Sequence, residues 1–203
     1  MYGIGLWLPD LLRSASHLGN IQTGFLTAIP FLAGAISMAI WGWNSDRLNE
    51  RKWHLLLGNL LGSVGFVIAG LKPESLPVAL LGITIASMGV HATFGPFWAL
   101  KTTLLAPGIA AIGIALINSM GNLGGFMGPS LTGFLKEQTG SLSWGLILYA
   151  STSFLAAFMI FFLQLKPIQA FVFNQLRSRK PPQDLWPLEN FQCTELAKRF
   201  KFH

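Results

Sequence analysis

The chain has 203 residues, of which 52% are hydrophobic and 11% are charged. This composition excludes an ordinary soluble protein, because buried apolar helices would need a polar exterior that so few charged residues cannot supply. The net charge of +6 requires no nucleic-acid partner, and the single cysteine, Cys193, excludes an internal disulfide bond.

The first segment, residues 1–12, predicts a short apolar helix. Twelve helical residues extend only about 18 Å, whereas the hydrocarbon core of a bilayer is roughly 30 Å thick. A signal peptide would need a basic start and a small-residue cleavage site, which this segment lacks. We therefore interpret it as the outer end of a truncated helix, with Trp7 at interfacial depth and Pro9 ending the helix.

Five later segments contain no Asp, Glu, Lys or Arg, and each reaches the roughly 18 residues expected of a spanning helix. We interpret them as five complete transmembrane helices, which together with the truncated helix form a membrane domain over residues 1–165. The sequence therefore predicts an all-α integral membrane fold. The predicted spans cover about 21–43, 53–71, 77–100, 109–135 and 143–165.

Charge is concentrated in residues 44–54, between the first two complete spans. Placing this loop in the cytoplasm puts eleven of the fourteen basic residues inside, including Lys101 and those of the tail. The positive-inside rule therefore predicts a cytoplasmic loop and tail in the inner or plasma membrane. We expect Asp46 to lie at a neighbouring helix N-terminus, and Arg47 and Arg51 to pair across the loop.

The third span contains the segment GVHATFGPFWALK, in which His91, Phe94 and Trp98 share one helical face. Gly95 and Pro96 between them are expected to kink the helix and to loosen its backbone hydrogen bonds. Trp98 is a candidate substrate contact, and its alternative is an interfacial tryptophan. His91 is either a proton relay or a neutral histidine hydrogen-bonded to an adjacent helix.

The fourth span places Asn118, Asn122, Gly125 and Pro129 on one face, at spacings of four, three and four residues. Two carboxamides on one stripe of a spanning helix indicate either a solute cavity or hydrogen bonds between helices. Asn118 is the better cavity candidate, and Asn122 fits both interpretations.

Acidic and basic side chains are missing from the interior of all five predicted spans. Coupling an anion to a proton or sodium ion normally needs a buried carboxylate and a cationic partner, so that chemistry is expected outside this chain. The sequence also contains no catalytic motif, phosphate loop or Cys/His metal cluster. It therefore gives little support for an enzyme and predicts neither a cofactor nor a metal site.

The tail, residues 166–203, mixes proline with scattered aromatic residues and has no sustained period. It predicts a flexible cytoplasmic extension with weak helix near residues 191–200. A shifted reading frame and a basic tail that contacts anionic lipid are the alternatives.

The segment GWNSDRLNERK, from Gly42, resembles the Gly-x-x-x-Asp-Arg-…-Arg signature in the cytoplasmic loop of each half of major facilitator superfamily transporters. Asn49 and Glu50 replace the glycine and the basic residue that are common in this pattern. The wider sequence over 2–165 is similar to the anion:cation symporter family, which includes tartrate, sugar-acid and aromatic-acid permeases. The similar segments are GLWLPDLL, FLTAIPFLAGA, SDRLNERKWH, FGPFWAL and GIALINSMGNLGGFMGPSLTGFLK.

The resemblance implies a fold of twelve helices in two six-helix bundles, with solute bound between the bundles and access alternating as they rock. This chain would form the second bundle without most of its first helix. Trp98, Asn118 and Asn122 would then be substrate-binding residues. Gly42, Asp46, Arg47 and Arg51 would form a loop latch that holds the bundles together in the outward-facing state.

Two functional hypotheses follow. In the first, the chain is part of a secondary active transporter for an organic anion, coupled to a proton or cation and dependent on an amino-terminal half. In the second, it is a truncated remnant without transport activity, or a membrane interaction subunit. An uncoupled channel is less well supported, because nothing in the sequence predicts a charged ring or filter.

Overall fold

The computed structural model describes residues 2–15, 19–104 and 110–163, and all regular secondary structure in these ranges is α-helix. The described helices belong to one compact unit. This result confirms the predicted all-α class. The helices are α1 Tyr2–Ser14, α2 Asn20–Leu48, α3 Lys52–Leu71, α4 Leu76–Ala92, α5 Phe94–Leu104, α6 Ala110–Thr139 and α7 Ser143–Phe162.

Five helical segments in the described ranges are long and apolar enough to cross a membrane, as predicted. The third of them combines α4 and α5 and covers Leu76–Thr102, and the others are α2, α3, α6 and α7. The predicted tail, residues 166–203, lies outside the described residues, so its flexibility stays a prediction.

The helix α1 does not end at Pro9, contrary to the prediction, but continues to Ser14. Proline removes one backbone N–H from the helix. Leu8, Leu11 and Leu12 on either side of Pro9 are almost completely buried in the hydrophobic core, which also contains Phe66 of α3. Burial of these side chains outweighs the missing hydrogen bond.

The closest helix pairing joins α3 to α4 through small residues. A Cβ atom added to Gly65 would overlap the backbone of Ala86, and one added to Gly89 would overlap the backbone of Gly62. Close backbone approach of this kind drives helix association in membranes, where apolar side chains gain little from leaving lipid. The α3–α4 pair is therefore the most closely packed pair of helices in the described bundle.

Hydroxyl groups connect this pair to its neighbours. Ser63 Oγ of α3 donates to the Ala150 carbonyl of α7 at 2.9 Å, and Ser37 Oγ of α2 donates to the Met88 carbonyl of α4 at 3.0 Å. Buried hydroxyl groups in spanning helices need such partners, because no water is present in the hydrocarbon core. The two hydrogen bonds join α7 to α3 and α2 to α4.

The helix α6 lies at the margin of the described bundle, where its main contacts are with α1 and α7. Trp7 Nε1 donates to the Pro129 carbonyl at 3.2 Å, and the Trp7 ring lies over Gly133. Asp10 and Lys136 form an ion pair near the carboxyl-terminal ends of the same two helices. The short α1 is thus anchored along the carboxyl-terminal half of α6.

Candidate functional site

The third span is interrupted at Thr93, between α4 and α5. Thr93 Oγ1 donates to the Val90 carbonyl at 2.8 Å, while Pro96 has no N–H to offer the carbonyl of Ala92 four residues earlier. Gly95 allows α5 to approach α2, since its Cβ position would lie 3.3 Å from Gly42 Cα. The helix is therefore interrupted at the predicted place, beside Gly95 and Pro96.

His91 is buried just before this interruption. Its Nδ1 lies 2.8 Å from the Ser87 carbonyl oxygen, and since a carbonyl can only accept, Nδ1 carries the proton. The imidazole stacks on Phe94 at a centroid distance of 6.1 Å and meets the edge of Phe31 at 6.2 Å. The hydrogen bond is thus made within α4 rather than to an adjacent helix.

Gly34 of α2 provides the space for this histidine. A Cβ atom at Gly34 would lie 2.7 Å from His91 Nδ1 and 2.8 Å from Ser87 Oγ. Both distances are shorter than the closest approach of a carbon atom to a non-bonded nitrogen or oxygen atom. The His91 ring therefore occupies a site that depends on the absence of a side chain in α2.

Trp98 lies in α5 and is 38% exposed. The ammonium of Lys101, one turn later, lies 3.0 Å from the Trp98 ring centroid and 4.1 Å from that of Phe97. The third span was predicted to end at about residue 100, which would leave Lys101 just outside it, but the helix continues through Lys101 to Leu104 and the residue is buried. The spacing of three residues between Trp98 and Lys101 could have predicted their contact, because residues three apart are neighbours on a helix. Counting charges alone does not consider this spacing.

The asparagine face of α6 is divided between two environments. Asn122 Oδ1 accepts a long hydrogen bond of 3.5 Å from the Tyr2 hydroxyl, and the Tyr2 ring covers Gly125. Asn118, one turn earlier, is exposed and has no hydrogen-bond partner in the described ranges. Helix α1 thus covers this face from Asn122 onwards and leaves Asn118 open.

No hydrogen bond or ring contact among the described residues joins Trp98 to Asn118. The assignment of these residues and of Asn122 to a shared substrate site remains a prediction. Both Trp98 and Asn118 are exposed on spanning helices, so each is available to a solute or to another helix.

The loop between α2 and α3 is organised around Ser45, whose side chain is fully buried. Its Oγ donates to the Glu50 carbonyl at 2.7 Å and accepts from Arg51 Nη1 at 3.0 Å. Arg51 also forms an ion pair with Asp46. Sequence reasoning identified the charged residues but not the serine, which lies between Gly42 and Arg51 in the signature segment.

Glu50 occupies the N-terminus of α3, where its carboxylate accepts from the Trp53 amide at 3.0 and 3.1 Å. His54 Nδ1 donates to the same carboxylate at 3.2 Å, and Asn44 Nδ2 lies 3.1 Å from His54 Nε2. The expected contact of Asp46 with a helix N-terminus is not found among the described residues. At the N-terminus of α3, it is Glu50 that occupies the position predicted for Asp46.

Asn49 has a left-handed backbone, with φ 51° and ψ 35°, and ends α2. Asparagine adopts this conformation more readily than most residues other than glycine, which explains how it can replace the glycine of the superfamily pattern. Arg47 does not form an ion pair in the described part of the chain. Its guanidinium lies over the Trp43 ring at 5.3 Å.

No group of three His, Cys, Asp or Glu side chains that could hold a metal ion occurs in residues 2–15, 19–104 and 110–163. The polar features described above lie in three regions of the helical bundle: the α4–α5 interruption, the open Asn118 face and the α2–α3 loop.

Comparison with known proteins gives several relatives. The chain is 36% identical to a candidate tartrate transporter of Agrobacterium vitis over 80% of its own length and 36% of that protein. It is 37% identical to a quinolone resistance transporter of Acinetobacter baumannii, over 89% and 39% of the two chains. It is 32% identical to the candidate metabolite transport protein NicT of Pseudomonas putida, over 81% of its own length and 38% of that protein.

The chain thus spans 36 to 39% of the length of these three relatives. No solved structure matches it significantly. The family profile described as Major Facilitator Superfamily matches residues 1–192, which extends beyond the last described helix. Five spanning helices and this match establish a multi-pass cell-membrane protein. The chain belongs to the major facilitator superfamily.

Proposed function

We propose that the chain is part of a secondary active transporter for an organic anion, such as a sugar acid, a tartrate-like acid or an aromatic carboxylate. The observation that carries this proposal is the similarity to a candidate tartrate transporter over 80% of the chain, within a bundle of spanning helices. Transport would proceed by alternating access and be coupled to a proton or another cation.

The transporter would need an amino-terminal half in addition to this chain. Support comes from the relatives, each of which is more than twice as long as the segment that it shares with the chain. The buried carboxylate and arginine expected of an ion-coupled site are absent from the described spanning helices, so the other half would supply them.

Trp98 and Asn118 would line the solute cavity from this bundle, and Asn122 would act at its outer margin beside Tyr2. The exposure of Trp98 and Asn118 supports this assignment, because a polar or amphipathic side chain on a spanning helix requires a wet or polar neighbour. His91 would serve as a proton relay only if Nε2 reaches water, since Nδ1 is already bonded to the Ser87 carbonyl.

The α2–α3 loop would act as a cytoplasmic latch between the two bundles. Arg47 supports this role because its charge is not paired within the described residues and is available to a second bundle. Asp46, with its side chain 68% exposed, could exchange its Arg51 contact for a helix N-terminus of that bundle.

The direct test is uptake of labelled tartrate, an aromatic carboxylate and a quinolone by cells that express the chain alone, with its complementary half, or with neither. Uptake of an acid only when both halves are present supports the proposal. An absence of uptake with every plausible half would instead support the remnant or interaction-subunit hypothesis. An antibody to residues 183–196 would show whether native membranes contain a band near 22.1 kDa or one about twice that mass.

A further inference from the structure

Lys101 is a buried lysine at the carboxyl-terminal end of the third spanning segment, one residue before its last residue, Thr102. It is 5% exposed, and its ammonium has no hydrogen-bond partner in the described ranges. None of the salt bridges described there involves it. A buried ammonium is costly unless a charge or several acceptors compensate it, so such a residue in a membrane helix indicates a functional site.

Aromatic rings provide the only compensation that the described structure shows. The ammonium lies over the rings of Trp98 at 3.0 Å and Phe97 at 4.1 Å. Cation–π contacts of this kind favour a cation but offer no oxygen acceptor to its N–H groups. The three N–H donors of Lys101 therefore lack an acceptor in the described ranges, and an anionic ligand that displaces part of the covering Trp98 ring would supply one.

In α5 the buried Lys101 lies directly beneath the partly exposed Trp98. Trp98 is 38% exposed and shares one helical face with Lys101, three residues later. The helix is interrupted at Thr93, and Gly95 near the start of α5 lies against Gly42 of α2. A ligand on the Trp98 ring would thus have the ammonium within reach of its charged group.

We propose that Lys101 and Trp98 form an anion-binding pair in which the ammonium binds a carboxylate of the transported acid and the indole packs against its carbon skeleton. This inference rests on the proposed function. It gives this bundle a cationic group for the substrate, whereas such a group was predicted only outside this chain. A phosphate group of an anionic lipid has similar chemistry and is the competing occupant that the experiment must separate.

The test uses the transporter isolated with its native partner chains in nanodiscs. Tartrate and benzoate binding is measured by calorimetry, with tartramide and benzamide as uncharged counterparts. Lys101→Met should weaken carboxylate binding at least about tenfold and leave amide binding unchanged, because it removes a charge-assisted hydrogen bond. Lys101→Arg should retain most of the affinity, and Lys72→Met, at an exposed lysine, is the matched control.

Amine-directed acetylation followed by mass spectrometry provides a second measurement. The acids should protect Lys101 and not Lys72, equally in nanodiscs of phosphatidylcholine and of phosphatidylglycerol. Protection that follows phosphatidylglycerol and ignores the acids would show a lipid site and overturn the inference.

The possible failures are distinguishable. Unchanged tartrate and benzoate affinity in Lys101→Met, with wild-type uptake intact, would refute the anion-binding pair and leave the proposed function standing. A wild-type transporter that neither takes up nor binds any acid, and in which no acid protects Lys101, would refute both.

Discussion

Gly42 of α2 and Gly95 of α5 lie backbone to backbone, so that a Cβ atom on Gly95 would be 3.3 Å from Gly42 Cα. Gly42 begins the signature segment of the α2–α3 loop, and Gly95 follows the interruption of the third span. The two regions that sequence analysis treated separately are therefore in direct contact. A change in the tilt of α5 would therefore displace Gly42, at the start of the signature segment.

Gly95→Val is expected to impair transport, because a branched side chain cannot fit against Gly42 without displacing α5. Gly24→Val is the matched control, since a Cβ atom at Gly24 meets nothing within 4 Å. Uptake at equal membrane expression is the measurement. Equal activity of the two variants would contradict a functional role for the contact.

Gly89→Ala is expected to destabilise the bundle by about 1–3 kcal/mol or more, through overpacking of the α3–α4 seam. The added methyl group would overlap the Gly62 backbone and lie 2.6 Å from the Gly58 carbonyl oxygen. Thermal unfolding in detergent should show a lower midpoint for this variant than for Gly24→Ala. A midpoint equal to that of the control would show that the seam can separate at little cost.

Glu50→Ala is expected to reduce stability by about 1 kcal/mol, as for the loss of other helix N-terminal acceptors. The variant removes the acceptor of the Trp53 amide and the partner of His54. Glu74→Ala provides a control at an exposed glutamate outside this network. Chemical unfolding of the two variants gives the comparison, and equal stability would argue against a capping role.

Asp46→Asn tests the role of the α2–α3 loop in transport separately from its role in stability. The Asp46 side chain is 68% exposed, and surface ion pairs contribute only about 0–1 kcal/mol, so unfolding should change little. If the loop is a latch, uptake should nevertheless fall while membrane expression remains normal. Normal uptake by Asp46→Asn would leave the loop with a topogenic role only.

Trp98→Ala and Asn118→Ala should each weaken transport without loss of membrane expression, because neither side chain contributes to the buried core. Met120→Ala, at an exposed apolar position of α6, is the control for general effects of truncation on this helix. Uptake by both variants at the level of this control would overturn their assignment to the cavity.

The number of spanning helices could be predicted from the sequence because a bilayer imposes a length on apolar segments. The continuation of α1 through Pro9 could not, since it depends on the burial of Leu8 and Leu12 in a core built largely by later helices. Local propensity at a proline gives no information about such tertiary contacts.

The candidate residues were found by type and spacing, but their partners were not. The sequence showed Asn118 and Asn122 on one face, yet only the structure shows that Tyr2 reaches Asn122 and leaves Asn118 open. Similarly, an end of the third span at about residue 100, where its charge-free run stops, leaves Lys101 just outside the span. Its position on the Trp98 ring depends on where α5 ends, and helix ends are the least predictable feature of a sequence.

The anchoring of α1 to α6 also has a consequence for biosynthesis. The Trp7–Pro129 hydrogen bond joins residues 122 positions apart, and the Asp10–Lys136 ion pair joins residues 126 apart. At roughly 5–20 residues per second, α1 leaves the ribosome about 6–25 s before its partner exists. Closure of the bundle at this edge therefore has to wait for the synthesis of α6, and a ribosome stalled before α6 would leave Asp10 without its counter-ion.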